Sequence, residues 1–262
     1  MCSLSMHAIA ELSRWGCCPM PIPTERRGNA AVSWLSSPKH PYEDRYRLLT
    51  RAVPLVAQSG RGEIVAVFDG ISSAPKGMPA AQAMADGLLA FYRNTGQHPA
   101  SSEGLRQLLQ RTNQEMYDWG VVSGTKRSLG GCAGTVAWVH ERQLTVFHAG
   151  DTVGMLLSPG EGPRQMTFAH EQGGALTRYF GIGDKLQIDI TTMAIAEDDV
   201  LLLMSDGVTK AFSAQAAAEL VATTMDRCGD PGAAAEELAT QSRRRGSTDD
   251  ITVVVMTLNE DE

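Results

Sequence analysis

Two stretches, "EIVAVFDG" (Glu63 to Gly70) and "VLLLMSDG" (Val200 to Gly207), run apolar without alternation and stop on an acid followed by glycine. A strand with no polar alternation is covered on both faces. Each stretch therefore demands a layer above it and a layer below it, which restricts the available architectures more than any other feature of the chain. Each also delivers a carboxylate at its end, and two such endings predict acids gathered at one rim of a sheet.

The remaining segments supply the layers. "RYRLLTRAVPLVAQ" reads as a strand with an irregular tail. Helical spacing predicts helices over 79–94 and 102–120, the second with Ser102 as its cap and Leu105, Leu108, Leu109 and Met116 on one stripe. Strands follow at 132–140, 143–150 and 153–158, and their two- or three-residue links read as antiparallel hairpins. Further strands are expected at 185–195 and 199–205. Helices are expected at 213–226 and 230–245, with Asp230 capping the latter and Pro231 at its first position. A β-branched strand at 250–259 closes the chain. Residues 1 to about 40 read as irregular, with a short helical stretch over 6–15. Clustered strands with tight links, punctuated by two helix pairs, predict the α+β class. The arrangement is a four-layer α-β-β-α sandwich, two packed and mostly antiparallel sheets flanked by helix pairs.

Composition narrows the partners. The 262 residues are 43% apolar and 20% charged, enough to bury a core without disulfides or a structural metal. A net charge of −7 argues against a nucleic-acid partner. No stretch approaches 18 uninterrupted apolar residues, so no membrane association is expected. The first 23 residues lack the basic start and apolar run of a secretion signal. The five cysteines, Cys2, Cys17, Cys18, Cys132 and Cys228, form no CxxC pair. They fit a reducing compartment, so the expected location is cytoplasmic, with Cys17 and Cys18 as surface or interface residues. The chain has no GxxxxGK[ST], HExxH or GxSxG signature. The run Arg243 to Arg245 sits at a helix end and complements its dipole.

Acids recur at strand ends: Glu43 and Asp44, Asp69, Asp151, Asp206, and Asp249 with Asp250. Any one of them is more often a turn residue than a ligand; the signal lies in the set. If the strands form two facing sheets, these ends converge at one edge. Crowded carboxylates repel and raise one another's pKa, and hard divalent cations offset that repulsion. Glycine after Asp69 leaves the Gly70 carbonyl open to such an ion.

With these residues in view the chain resembles a family. "YEDRYRLL", "EIVAVFDG", "LGGCAGTVAWV", "QLTVFHAGDTVGMLL", "ALTRYFGI", "DVLLLMSDGVT" and "STDDITVVVM" fall in the order and spacing of the metal-dependent Ser/Thr protein phosphatases of type 2C. The likeness runs from about residue 28 to 258. It implies an irregular N-terminal extension over 1–30 and a phosphatase domain over 31–262. It also implies two ions of Mn²⁺ or Mg²⁺. Asp69 would bridge them, the Gly70 carbonyl would bind one, Asp206 and Asp249 would complete the shell of the other, and Glu43 and Asp44 would hold their waters. The implied reaction is hydrolysis of phosphoserine or phosphothreonine in proteins by a hydroxide shared between the ions, with no covalent intermediate. The expected partners are a phosphorylated protein substrate and a regulatory protein, and the expected state is a monomer.

Four departures from the family pattern bear on the chemistry. Lys39 stands where the family places the arginine that clamps phosphate, which keeps the charge but loses the planar fork. Ile71 stands in place of a histidine proposed as general acid; His40, His148 and His170 are the candidate substitutes. The turn "GDTV" lacks the family's arginine. Lys210 replaces an acid that helps Asp151 hold a third ion, so a third ion of the usual kind is not expected. The competing readings are a pseudophosphatase acting as a regulatory or binding module, and a carboxylate-metal hydrolase of small phosphate esters. Retention of Asp69, Asp206 and Asp249 favours the working phosphatase. The glycine-rich stretch 159–184 is read as the loop beside the substrate.

Overall fold

The computed structural model describes residues 22–122, 124 and 128–258. Cys17, Cys18 and the expected helical stretch over 6–15 lie outside them. Strands in chain order are β1 (Thr24–Arg27), β2 (Ala30–Leu35), β3 (Arg45–Leu49), β4 (Glu63–Gly70), β5 (Cys132–His140), β6 (Gln143–Ala149), β7 (Val153–Leu157), β8 (Arg164–Gln165), β9 (Glu171–Gln172), β10 (Ala175–Leu176), β11 (Asp189–Ala194), β12 (Val200–Met204) and β13 (Ile251–Thr257). Among the described residues one sheet runs β1-β2-β13-β12-β7-β8 and a second runs β11-β6-β5-β4-β3, with β9 and β10 as a separate small hairpin.

Three apolar layers show why two strands carry no alternation. On β4, Ile64, Ala66 and Phe68 pack outward with Met84, Leu105 and Leu109 of the flanking helices Gly77–Gly87 and Ser102–Val122. Val65 and Val67 point the other way, into a middle layer with Leu201 and Leu203 of β12 and Val254 of β13. Leu202 and Met204 turn outward again, onto Val221 and Leu238 of helices Ala214–Cys228 and Pro231–Arg244. Side chains alternate faces along a strand, so both faces of β4 and β12 must be apolar. The four-layer sandwich is the one expected.

Several local expectations needed correction. Residues 24–35, read as irregular, form β1 and β2, turned at Gly28–Asn29. The expected irregular tail of β3 contains the short helix Pro54–Ser59. The helix expected over 79–94 divides into Gly77–Gly87 and Ala90–Arg93. The cap expected at Ser102 belongs to Ser101, whose hydroxyl accepts from the Gly104 amide at 3.0 Å. The strand expected at 185–195 begins only at Asp189. Asp230 does cap its helix, accepting from the Gly232 amide.

The most consequential correction concerns β6 and β7. Their short link predicts a hairpin, yet β6 pairs with β5 and β11 while β7 pairs with β12 and β8. The chain crosses from one sheet to the other through Gly150, Asp151 and Thr152. Gly150 has φ +119, and a Cβ there would lie 2.3 Å from the Ala133 Cβ. A side chain is excluded by conformation and by space. Gly150→Ala should therefore cost about 3 kcal/mol, a fall of roughly 6–12 °C in Tm. Gly160→Ala, with φ +75 but nothing within 4 Å, should cost about 1–2 kcal/mol. Calorimetry finding equal losses at the two sites would remove the crossing as a special constraint.

Candidate metal centre and phosphate site

Strand register brings the acids together. Arg45 of β3 pairs with Phe68 of β4, so Asp44, just before β3, lies beside Asp69 at the end of β4. Met204 of β12 pairs with Val253 of β13, so Asp206 lies beside Asp249 and Asp250. Asp69 follows Val65 and Val67 by even steps and so shares their face, toward the opposite sheet. Asp151 reaches the same edge on the crossing turn. Asp69, Gly70, Asp151, Asp206, Asp249 and Lys210, with Ile71, Ser72, Ala133 and Leu176, line one cavity of about 150 Å³. Leu176 comes from the β9–β10 hairpin, within the stretch read as the substrate-side loop. A larger cavity of about 480 Å³ opens at the far end of the sandwich, between Glu63, Arg142 and Leu258, and contains none of the expected site residues.

The backbone at the rim is tightly packed. A Cβ on Gly70 would lie 2.8 Å from the Glu43 carbonyl oxygen and 2.8 Å from the Gly77 carbonyl carbon. Glycine is required there by close backbone packing, besides leaving its own carbonyl open. A Cβ on Gly207 would meet the Asp250 carbonyl oxygen at 1.8 Å, so the two acid-bearing segments of the β12–β13 pair fit together only around a bare Cα.

The carboxylates show the strain of convergence. Burial first, then the charges of Asp44, Asp206, Asp151 and Asp249, hold the Asp69 carboxyl well above its ordinary range. Burial raises Asp44 to about 7, opposed by the hydrogen bond from Thr252, whose hydroxyl donates to Asp44 Oδ2 at 2.6 Å. Burial, then Asp206, raises Asp151 to about 6. Asp44 Oδ1 and Glu43 Oε2 are buried without a hydrogen-bond partner. Asp250 is satisfied, its oxygens accepting from the amides of Ser37 and Glu43, each at 2.6 Å.

Lys210 supplies the positive charge within the cavity. Its ammonium lies 2.6 Å from Asp206 Oδ2 and also pairs with Asp249 Oδ2. Asp249 is raised by burial but held lower by Lys210, with a net fall. The oxygen donors able to take a hard divalent cation are Asp69, the Gly70 carbonyl, Asp206 and Asp249, with Glu43 and Asp44 behind them. As the side chains stand, no three acids, histidines or cysteines among the described residues form a group that could hold an ion; Lys210 already ties up two of these acids.

Lys39 sits on the exposed rim, its Nζ donating to Thr248 Oγ1 at 3.0 Å. Of the three histidines considered, only His40 comes to the acids. It lies 3.6 Å from Asp249 Oδ1, 3.7 Å from Glu43 Oε2 and 3.9 Å from Asp250 Oδ2. Its pKa is raised, chiefly by the Pro41 carbonyl and then by Asp250, Glu43 and Asp249. His148 and His170 instead brace the crossing turn. His170 Nδ1 accepts from the Gly150 amide and its Nε2 donates to Asp189 Oδ2 at 2.9 Å. His148 Nε2 donates to the Phe168 carbonyl, and its Nδ1 accepts from Thr135 at 3.0 Å. Asp250, counted among the strand-end acids, serves to hold the backbone. Thr252 is the residue that sequence reasoning missed; its signal is a threonine on the otherwise apolar inner face of β13, two positions from Val254. Arg243, assigned to the helix dipole, donates to the Ser36 and Asp249 carbonyls, so it also anchors the acid loop.

Comparison with known proteins places the chain in a family and a fold. A model of the family described as stage II sporulation protein E (SpoIIE) matches residues 73–259. The chain belongs to that family. It is 30% identical over 120 residues to protein phosphatase PhpP of Streptococcus pneumoniae, and spans about half the length of that curated relative, 46% of each chain being covered. In fold, this SpoIIE-family chain is similar to a bacterial serine phosphatase, with TM-score 0.74, 16% identity and coverage of 89% and 98% of the two chains. It is also similar to the catalytic domain of the phosphatase PstP in complex with two manganese ions, with TM-score 0.69, 20% identity and coverage of 88% and 98%. The likeness to type 2C phosphatases and the sandwich fold are borne out. Among the described residues no helix is long and apolar enough to cross a membrane.

His148 makes the turn sensitive to acid. Burial, then neighbouring His170, lowers its pKa to about 4. The folded state therefore holds fewer protons than the unfolded chain as pH falls from about 6.5 toward 4, and stability is lost over that window by up to about 3 kcal/mol. Urea unfolding of wild type and His148→Gln between pH 7.5 and 4 should converge as pH falls. Parallel curves would show that His148 does not couple to folding.

Proposed function

We propose that the chain hydrolyses phosphoserine and phosphothreonine esters in proteins, using divalent ions held at the acidic edge. The single observation that carries this reading is the meeting of Asp69, Asp206 and Asp249, from two sheets, around one cavity that also holds Asp151 and Lys210. The buried, partnerless oxygens of Glu43 and Asp44 fit donors that a cation and its waters complete. Asp69, the Gly70 carbonyl, Asp206 and Asp249 would hold Mn²⁺ or Mg²⁺, a choice supported by the two manganese ions in the complex of the similar phosphatase PstP. When bound, such ions lower the pKa of a shared water and offset charge on phosphoryl oxygens.

The chain's own groups do the rest. Asp44 Oδ1, buried without a hydrogen-bond partner, would accept a hydrogen bond from the attacking water and take up its proton. The water oxygen would form its bond to phosphorus in line as the ester P–O bond breaks, and the serine or threonine alkoxide would leave with that bonding pair and take a proton from solvent. Lys210 lines the cavity and would face the phosphate charge; Lys39, outside that lining and bonded to Thr248, would add a second ammonium on reaching inward. Ile71 cannot donate a proton to the leaving alkoxide; of the three candidate histidines His40 is the one that reaches the acids. The β9–β10 hairpin, through Leu176, borders the cavity and would contact the substrate. We place the chain in a reducing cytoplasm, a reading the free thiols of Cys132 and Cys228 support.

p-Nitrophenyl phosphate turnover should require Mn²⁺ and fall about 10²-fold or more in Asp206→Asn. Metal-independent turnover, or an undiminished variant, removes this reading. The pairing of Lys210 with two of the acids favours a second reading, a catalytically silent binding module; no turnover together with tight binding of a protein partner would promote it. Restoring a donor in Ile71→His should raise phosphate release from a phosphoserine peptide by about 10²-fold and barely change the aryl ester, whose leaving group needs no proton. Equal gains on both substrates argue against a missing general acid.

A further inference from the structure

Asp206 and Asp249 share one ammonium. Lys210 follows Asp206 by one helical turn, its amide donating to the Asp206 carbonyl at 2.9 Å. Its Nζ lies 2.6 Å from Asp206 Oδ2 and is paired with Asp249 Oδ2. The ammonium therefore stands between the two acids assigned above to one ion. Asp69 and the Gly70 carbonyl, on the other sheet, are left to the cavity. The Lys210 side chain is 49% exposed, so a flexible stem can carry the charge out to water. A divalent ion and an ammonium repel at contact distance. An ion entering between Asp206 and Asp249 must therefore break two ion pairs and expel a like charge.

We propose that Lys210 is a built-in competitor for one of the two cations. Its ammonium fills the Asp206–Asp249 end of the site, so that one divalent ion binds tightly at the Asp69–Gly70 end and the second binds only when Lys210 swings out. The chain thus rests in a one-ion state, and loading of the second ion depends on cation concentration. This rests on the metal-dependent reading above and adds an order of filling to it.

The test is Mn²⁺ titration of the chelator-stripped full chain by calorimetry and by the electron paramagnetic resonance of free Mn²⁺, in wild type, Lys210→Gln and Lys210→Arg. Wild type should bind one ion tightly and a second at least ten times more weakly. Lys210→Gln should tighten the second step by about 10- to 100-fold, and Lys210→Arg, which keeps the charge, should stay close to wild type. Thermal melting gives an independent readout. Without metal Lys210→Gln loses the counter-charge of two acids and should melt below wild type, and Mn²⁺ should raise its Tm by more than it raises that of wild type. Identical affinities for both steps in wild type and Lys210→Gln, with equal Mn²⁺-induced shifts in Tm, overturn the proposal while leaving Mn²⁺-dependent turnover, and so the functional reading, standing. Absence of Mn²⁺ binding by every variant overturns both.

Discussion

Mutual repulsion of carboxylates is the constraint around which this sandwich is organised. Acids from β3, β4, the β6–β7 crossing, β12 and β13 arrive at one edge, and burial there makes each charge costlier. The fold answers with directed hydrogen bonds. Thr252 donates to Asp44, two backbone amides donate to Asp250, and Arg243 holds the carbonyl of Asp249. Lys210 answers with charge. Acids left short of donors, Asp44 and Glu43 above all, form the part of the edge that the protein alone does not satisfy.

That edge exists because the two sheets are fixed relative to each other. The middle apolar layer sets their spacing, and the outer layers, each closed by a helix pair, keep water from the far faces. β4 and β12 play equivalent parts in opposite sheets. Each is buried on both faces, and each delivers an Asp-Gly pair to the rim, at the end of β4 and just after β12. The glycines differ in role: Gly70 lets β4 approach Glu43 and Gly77, whereas Gly207 locks the β12 end against Asp250.

Much of this was legible in the sequence, for definite physical reasons. Unalternating runs at 63–68 and 200–204 encode two-sided burial, and the layer count follows from them. Helical periodicity placed Leu105, Leu109 and Met116 in the core, where they lie. The convergence of Asp69, Asp206 and Asp249 followed from their common position at strand ends. What failed was information carried by tertiary contact. A two- or three-residue link looks the same whether the next strand pairs with the last or joins another sheet, so the β6–β7 crossing was misread. The β1–β2 hairpin hid in a proline-rich stretch because its pairing partner, β13, lies at the other end of the chain. The bracing roles of His148 and His170 and the buried pairing of Thr252 with Asp44 depend on neighbours that no local window contains.

The crossing at Gly150 has a mechanical corollary. Because three residues join strands of opposite sheets, Asp151 rides on whatever separation those sheets adopt. The middle layer of Val65, Val67, Leu201, Leu203 and Val254 therefore works as a spacer gauge for the acids at the rim. Altering its thickness would shift every carboxylate pair at once, whereas the same change of volume under a helix would be absorbed by that helix sliding. Distant substitutions that retune the chemistry should accordingly concentrate in the innermost layer.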